Sequence, residues 1–324
     1  MNKILCICLL AGSLAYAAQV HSKTRDKSST HSTQKKVTKK KATPKAKVSK
    51  KTKDNDNTQS AQQKKVATVS KVLSKSVDNN NTQDINEKKV ATITRGDVKI
   101  LEATENIRFL SQQIVKEYLF LFVTPQKEPV KVQLKKRLVT LSNNIRMIAS
   151  TTKDVDSKDI LEFLAYSKDQ IAETLSEEVT EENAALMLDY SETLLEGADS
   201  IAAAHAYDFS KEERMLMAAK QMEYLVERIM KYYMALHVGF DNPTNREQMN
   251  KSIAQFGNKL NDVESYQYPV DINKVKSELL GSWYANGMYL GKSETLFIPK
   301  LMLMSTAYLE DLIVKIALYH NQNQ

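Results

Sequence analysis

Apolar residues at Ile107, Leu110, Ile114, Tyr118 and Leu121 recur at steps of three and four, the spacing that lays one apolar stripe along an α-helix. Lys116 and Glu117 read as lying off that stripe. Adding 115 to each number gives Met222, Leu225, Ile229, Tyr233 and Leu236, which repeat the same phase. The offset then holds without a gap. Gln133, Leu134, Lys136, Leu138 and Leu141 fall on Gln248, Met249, Lys251, Ile253 and Phe256, and Ile160 and Leu164 fall on Val275 and Leu279. Leu186, Met187, Leu188, Leu194 and Ile201 fall on Leu301, Met302, Leu303, Leu309 and Ile316. One constant offset implies two homologous units rather than a many-copy solenoid.

Each unit holds four helical stretches with recognisable stops. In the first they are predicted near 97–123, 129–150, 157–176 and 180–205, broken by Pro125 and Pro129, by residues 154–157 and near Thr180. In the second they are predicted near 210–238, 243–265, 271–290 and 295–320. Ser210 followed by Glu213 forms a capping box, and Asn242 places a cap residue before a proline suited to a first turn. Short connections between helices of this length favour antiparallel neighbours. The expected fold is all-α: two tandem up-down four-helix bundles, at 97–209 and 210–324.

The N-terminal third has a different pattern. Lys3 precedes an apolar run from Ile4 to Leu14, and Ala15-Tyr16-Ala17 fits a small-x-small cleavage site, so residues 1–17 read as a secretory signal peptide. The run is too short for the roughly 18 to 20 apolar residues that cross a bilayer. Both cysteines, Cys6 and Cys8, lie inside it, so the mature chain is expected to carry no disulfide, thiolate metal site or cysteine nucleophile. Residues 18–96 are rich in Lys, Thr, Ser, Asn and Gln, without an aromatic residue or a sustained apolar period, and read as a disordered linker. Within it, 54–59 recurs as 78–83 and 64–68 as 88–92, both at an offset of 24 residues. Linker duplication and two copies of a short docking motif are both open.

Charge sharpens this division. Residues 18–96 hold 20 Lys+Arg against 6 Asp+Glu, a net of +14, whereas 97–324 holds 25 against 33, a net of −8; Lys3 completes the total of +7. The basic character therefore belongs to the linker, which can attach to anionic envelope polymers or lipid head groups. The acidic helical part excludes a specific nucleic-acid-binding fold.

No catalytic constellation, cofactor loop or metal motif is present in the pattern, and an enzyme is not expected. His205, His237 and His320 lie near helix ends without metal-ligand spacing. Glu177, Glu178, Glu181 and Glu182 crowd a helix start, where carboxylates suit the dipole. Met215, Met217, Met302 and Met304 read as core filler. One polar group stands out: Arg108, Ser111 and Gln112 share a stripe beside the apolar seam. A guanidinium flanked by a hydroxyl and an amide can bind a small oxyanion. Equally, Arg108 can pair with Glu105 or Glu102, or reach water.

The run Arg108-Phe109-Leu110-Ser111-Gln112-Gln113-Ile114-Val115-Lys116 resembles the R-M-L-S-Q-R-[MI]-A-K signature that opens the PilJ-type domain. That domain is the N-terminal sensory module of type IV pilus methyl-accepting chemotaxis transducers, similar to the nitrate-sensing domain of NarX-type kinases. The second unit resembles it through Tyr224-Leu225, 228–233 and 242–246. The resemblance implies a helical sensor domain outside the cytoplasmic membrane, often dimeric, with the motif arginine on the anion, a role that falls here on Arg108. Glu105 and Asn106 replace the signature's leading glycine and first arginine, and Glu223, Val226 and Glu227 replace its key arginine and Ser-Gln pair in the second unit.

Two functional readings follow. One is a periplasmic, non-enzymatic sensory or ligand-binding accessory protein, with nitrate or another small anion at Arg108, Ser111 and Gln112, a separate envelope receptor or kinase as output, and a homodimer as its assembly. The other is a structural or adaptor protein of the cell envelope that binds protein partners. Extracellular or envelope-associated placement is the alternative to the periplasm.

Overall fold

The computed structural model describes residues 95–293 and 295–324. The signal peptide, both cysteines, the linker repeat and the linker up to residue 94 lie outside the described residues. Among the described residues there are eight α-helices and no strand. They are α1 (Arg95–Phe120), α2 (Lys127–Thr151), α3 (Val155–Thr174), α4 (Glu181–Ala204), α5 (Lys211–His237), α6 (Pro243–Ser265), α7 (Val270–Leu290) and α8 (Pro299–Gln322).

The helix starts follow from local side-chain chemistry, because the first turn of a helix has backbone N–H groups with no intrahelical acceptor. Asp154 accepts from the Ser157 N–H at 2.7 Å, and Thr180 accepts from the Asn183 N–H at 3.2 Å. At α5 the capping box is complete: the Glu213 N–H donates to Ser210 Oγ, and the Ser210 N–H donates to Glu213 Oε2 at 2.7 Å. Asn242 caps α6, with Pro243 in the first turn. Gly239, at φ 111°, turns the chain after α5 in a conformation that a Cβ would strain. Helix α8 starts four residues later than the pattern predicts, because Pro299 suits a first turn and the chain before it is irregular.

Within each half, the first and last helices pack together, and each also packs on a neighbour: α1 on α2 and α4, α4 on α3, α5 on α6 and α8, and α8 on α7. Helices α2 and α3 also pack together, whereas the backbones of α6 and α7 lie farther apart and are bridged by side chains, with the rings of Phe256 and Trp283 stacked at 4.0 Å. Helices α1 and α5 pack against each other and join the halves.

The offset of 115 residues read from the sequence also relates buried positions. Ile107 and Met222, Ile114 and Ile229, Tyr118 and Tyr233, Leu141 and Phe256, Leu164 and Leu279, Met187 and Met302, and Ile201 and Ile316 are all buried. Such corresponding side chains fill one continuous core, whose burial from water is the main favourable contribution to folding. Met304 departs from the expectation of core filler: it is 73% exposed, because the inward position on that turn is taken by Met302.

Candidate functional site

The distinctive chemistry of the described residues is a buried polar seam where α1 meets α5. Lys116 of α1 reads as off the apolar stripe in the sequence, but the packing of α5 covers that face of α1 and buries it. Its ammonium lies 2.5 Å from Glu227 of α5, which is fully buried and also accepts from Gln113 Nε2 at 2.7 Å. Burial alone would lower the Lys116 pKa, but Glu227, then Glu310 and Glu117, outweigh it and hold the group above the usual lysine value. Glu310 of α8 is pushed well above the carboxylate range by burial and by Glu227 beside it. Glu310 is therefore held toward its neutral form beside the Lys116–Glu227 pair. At the outer edge of the cluster, Arg137 of α2 donates to both oxygens of Glu117 at 2.8 and 2.9 Å.

The corresponding lysine of the second half, Lys231, is held differently. It is fully buried and donates to Ser191 Oγ at 2.9 Å and Glu192 Oε1 at 2.5 Å, both on α4 of the first half. Arg228 Nη2 reaches the other Glu192 oxygen at 2.5 Å and Gln248 Oε1 at 2.9 Å. Burial lowers the Lys231 ammonium to about 8 in spite of Glu192. Burial would raise Glu192, but Lys231 and Arg228 together hold it below the usual range.

Arg108, Ser111 and Gln112 continue the seam along α1, with Gln112 next to Gln113 in the chain. The Arg108 guanidinium is mostly buried and already faces two carboxylates, Glu105 on its own helix and Asp199 of α4, the latter at 2.5 Å. Ser111 Oγ donates to the Arg108 carbonyl at 2.7 Å. Gln112 Nε2 donates to Ser111 Oγ at 2.9 Å and to the Ser191 carbonyl at 3.4 Å, so Ser191 links the triplet to Lys231. Gln112 Oε1, Gln113 Oε1 and Glu105 Oε2 are buried without a hydrogen-bond partner. The two amide oxygens are acceptors, whose lone pairs repel an anion. Burial pushes the Glu105 carboxyl up to about 7, although Arg108 pulls the other way.

The structure thus brings the three predicted residues together and supplies the guanidinium with internal counter-charges. Sequence reasoning missed Lys116, Glu192, Glu227, Lys231 and Glu310. The one available signal was the recurrence of lysine at 116 and 231, which a merely solvated face does not require.

His205 Nδ1 lies 2.9 Å from Asp97, and His320 Nδ1 lies 2.6 Å from Glu212, so each half carries a His–carboxylate clasp where its last helix ends beside its first. His320 is fully buried, unlike the solvent-facing histidine its position at a helix end suggests. A shallow groove of about 480 Å³ lies between α5 and α6, lined in part by Lys211, Arg214, Lys259 and Tyr266; Arg108 does not border it. Among the described residues no cluster of three His, Cys, Asp or Glu is placed to hold a metal ion, and no helix is long and apolar enough to cross a membrane. No protein-family profile, curated protein or solved structure matches the chain.

Proposed function

We propose that the chain is an exported, non-enzymatic structural or adaptor protein of the cell envelope. Its two tandem four-helix bundles act as one body, held near anionic envelope polymers by the basic linker. The observation that carries this reading is the interlocked seam. Lys116 of the first half is neutralised by Glu227 of the second, and Lys231 of the second by Glu192 of the first. Separating the halves would leave charged groups in apolar surroundings, which opposes the relative motion that a signalling bundle uses. Binding of the full chain to peptidoglycan or anionic vesicles, measured across a salt series, should weaken steeply as salt rises. The 97–324 fragment, at net −8, should hardly bind. Equal binding by both would remove the role assigned to the linker.

A second reading, an accessory sensor for a small oxyanion such as nitrate that acts through a separate receptor or kinase, is favoured by one observation: the raised carboxyl of Glu105. Once Glu105 takes up a proton, Arg108 retains only Asp199 as a counter-charge. A nitrate-induced thermal shift larger at pH 6 than at pH 8, present at both pH values in Glu105→Gln and lost in Arg108→Ala, supports this reading. No shift at either pH leaves the structural reading standing. The same carboxyl makes a stability prediction. Its folded pKa lies above its unfolded one, so its contribution is full below the ordinary carboxylate range and is lost as pH rises through about 7. Glu105→Gln should flatten that part of the stability profile.

A further inference from the structure

The outer face of α7 and α8 differs from the corresponding face of the first half. Tyr284 and Met288 of α7, with Leu301, Met304 and Tyr308 of α8, stand exposed at helical spacing. Tyr308 donates to Glu278 of α7 at 3.1 Å, which ties the two rows into one face. Subtracting 115 from Tyr284, Met288, Met304 and Tyr308 gives Asp169, Glu173, Asp189 and Thr193. Leu301 falls on Leu186, which packs partly against the core, so four of the five corresponding positions in the first half are polar. A solvated helix pair has no need of two tyrosines and two methionines in place of three carboxylates and a threonine, and apolar patches of this size on a soluble surface mark contact sites.

We propose that this face packs against the same face of a second copy of the chain, related by a two-fold axis. The argument for a second copy is self-complementarity. Lys300 and Asp311 flank the apolar run on one stripe of α8, four residues before Met304 and three residues after Tyr308. An antiparallel two-fold that sets Lys300 of each copy against Asp311 of the other also sets Met304 against Ala307, because both pairs of numbers sum to 611. Ala307 is exposed and small, so the register that pairs the charges also gives the protruding methionine a hollow. This is the isologous arrangement of a closed dimer. Asp311 already has Lys315 one turn away at 2.7 Å, but that pair is solvent-exposed and gives up little on exchange. The five apolar side chains expose on the order of 600 Å², and the flanking residues bring the face near the roughly 800 Å² per partner of a standard interface. The face lies apart from Arg108, so the proposal stands whichever functional reading holds.

Sedimentation velocity of the purified full chain over a concentration series tests this. The expected result is a dimer whose dissociation constant rises at least about tenfold when Tyr284 and Met304 are replaced by the aspartates of the first half, Tyr284→Asp with Met304→Asp. Because those residues already stand at the matching positions of α3 and α4, helicity by circular dichroism should be unchanged. Lys300→Asp and Asp311→Lys should each weaken the dimer, and the two together should restore it. A chain that stays monomeric up to about 100 μM, far above the working range of a specific dimer, overturns the proposal. So does a dimer that none of these variants disturbs. Lipid vesicles binding a monomeric wild-type chain through Met304 would likewise overturn it, by assigning the face to a membrane.

Discussion

Helices α3 and α7 occupy the same place in the two halves and solve it in opposite ways. In α3 the inward positions Leu161, Leu164 and Ile171 are buried, and Asp169 and Glu173 face outward. Their counterparts in α7 are Leu279 and Asn286, both buried, and Lys276, half-buried with its ammonium on the Glu264 and Tyr266 carbonyls, while Tyr284 and Met288 are exposed. The partner helices differ in step. Gly197 of α4 lets α3 approach so closely that a Cβ there would lie 2.5 Å from the Leu164 side chain, whereas its counterpart on α8 is Leu312, fully buried. Helix α3 is thus clamped between α4 and α2, while α7 leans on α8 and reaches α6 by side chains such as Trp283, stacked on Phe256. Helix lengths agree closely between the halves, and α1 and α5 form the central pair. The outer helix is free to exchange inward apolar area for an apolar outer face.

The largest effect should come from the seam, where the two halves are again unequal. Glu192 neutralises both Lys231 and Arg228, so Glu192→Ala leaves two cations in a buried site and should cost about 3–5 kcal/mol in urea unfolding. Glu310 is held toward its protonated form beside Glu227. Glu310→Gln, which keeps its shape and removes little charge, should cost no more than about 1 kcal/mol. Equal losses in the two variants would mean that Glu310 carries a full negative charge in the folded protein.

Next in size is the α3–α4 approach. Gly197→Leu gives the first half the residue found at the matching position of the second. It forces a side chain against Leu164 and Ile160, and should destabilise by about 1–3 kcal/mol, read as a lower urea midpoint. A neutral result would show that α3 can move out to the spacing of α7, and the contrast between the halves would lose its packing basis.

These particulars show what the sequence could and could not disclose. The eight helices were legible because apolar period, cap residues such as Ser210 and Asn242, and prolines all speak to residues a few positions apart. The seam was not. Lys116 looks solvated on its own helix, and its partners sit on α5 and α8, so its burial depends on which faces of the two repeats meet. Arg108 was found by its spacing, but its partner Asp199 lies 91 residues away, beyond the reach of a periodic pattern. Met304 reads as core filler in the sequence although it stands exposed, because a period of three to four does not by itself say which stripe of a helix is covered.

The smallest effect should be a gain. Asn286 is nearly fully buried in α7 at the position where α3 carries Ile171; its Nδ2 donates to the Ser282 carbonyl at 2.8 Å, and its Oδ1 has no hydrogen-bond partner. Asn286→Ile removes that unsatisfied acceptor and adds apolar surface facing the core, and the Ser282 carbonyl keeps its helical donor. The variant should therefore be more stable by about 1 kcal/mol. The gain should be local as well as global. In the wild type, amide hydrogens of α7 should exchange faster than those of α3, since the α7 backbone lies farther from α6 than the α3 backbone does from α2. Asn286→Ile should slow exchange in α7 while leaving α3 unchanged. If α7 already exchanges as slowly as α3, its wider spacing from α6 is offset by contacts elsewhere, and the outer face of α7 and α8 is where a second copy would provide them.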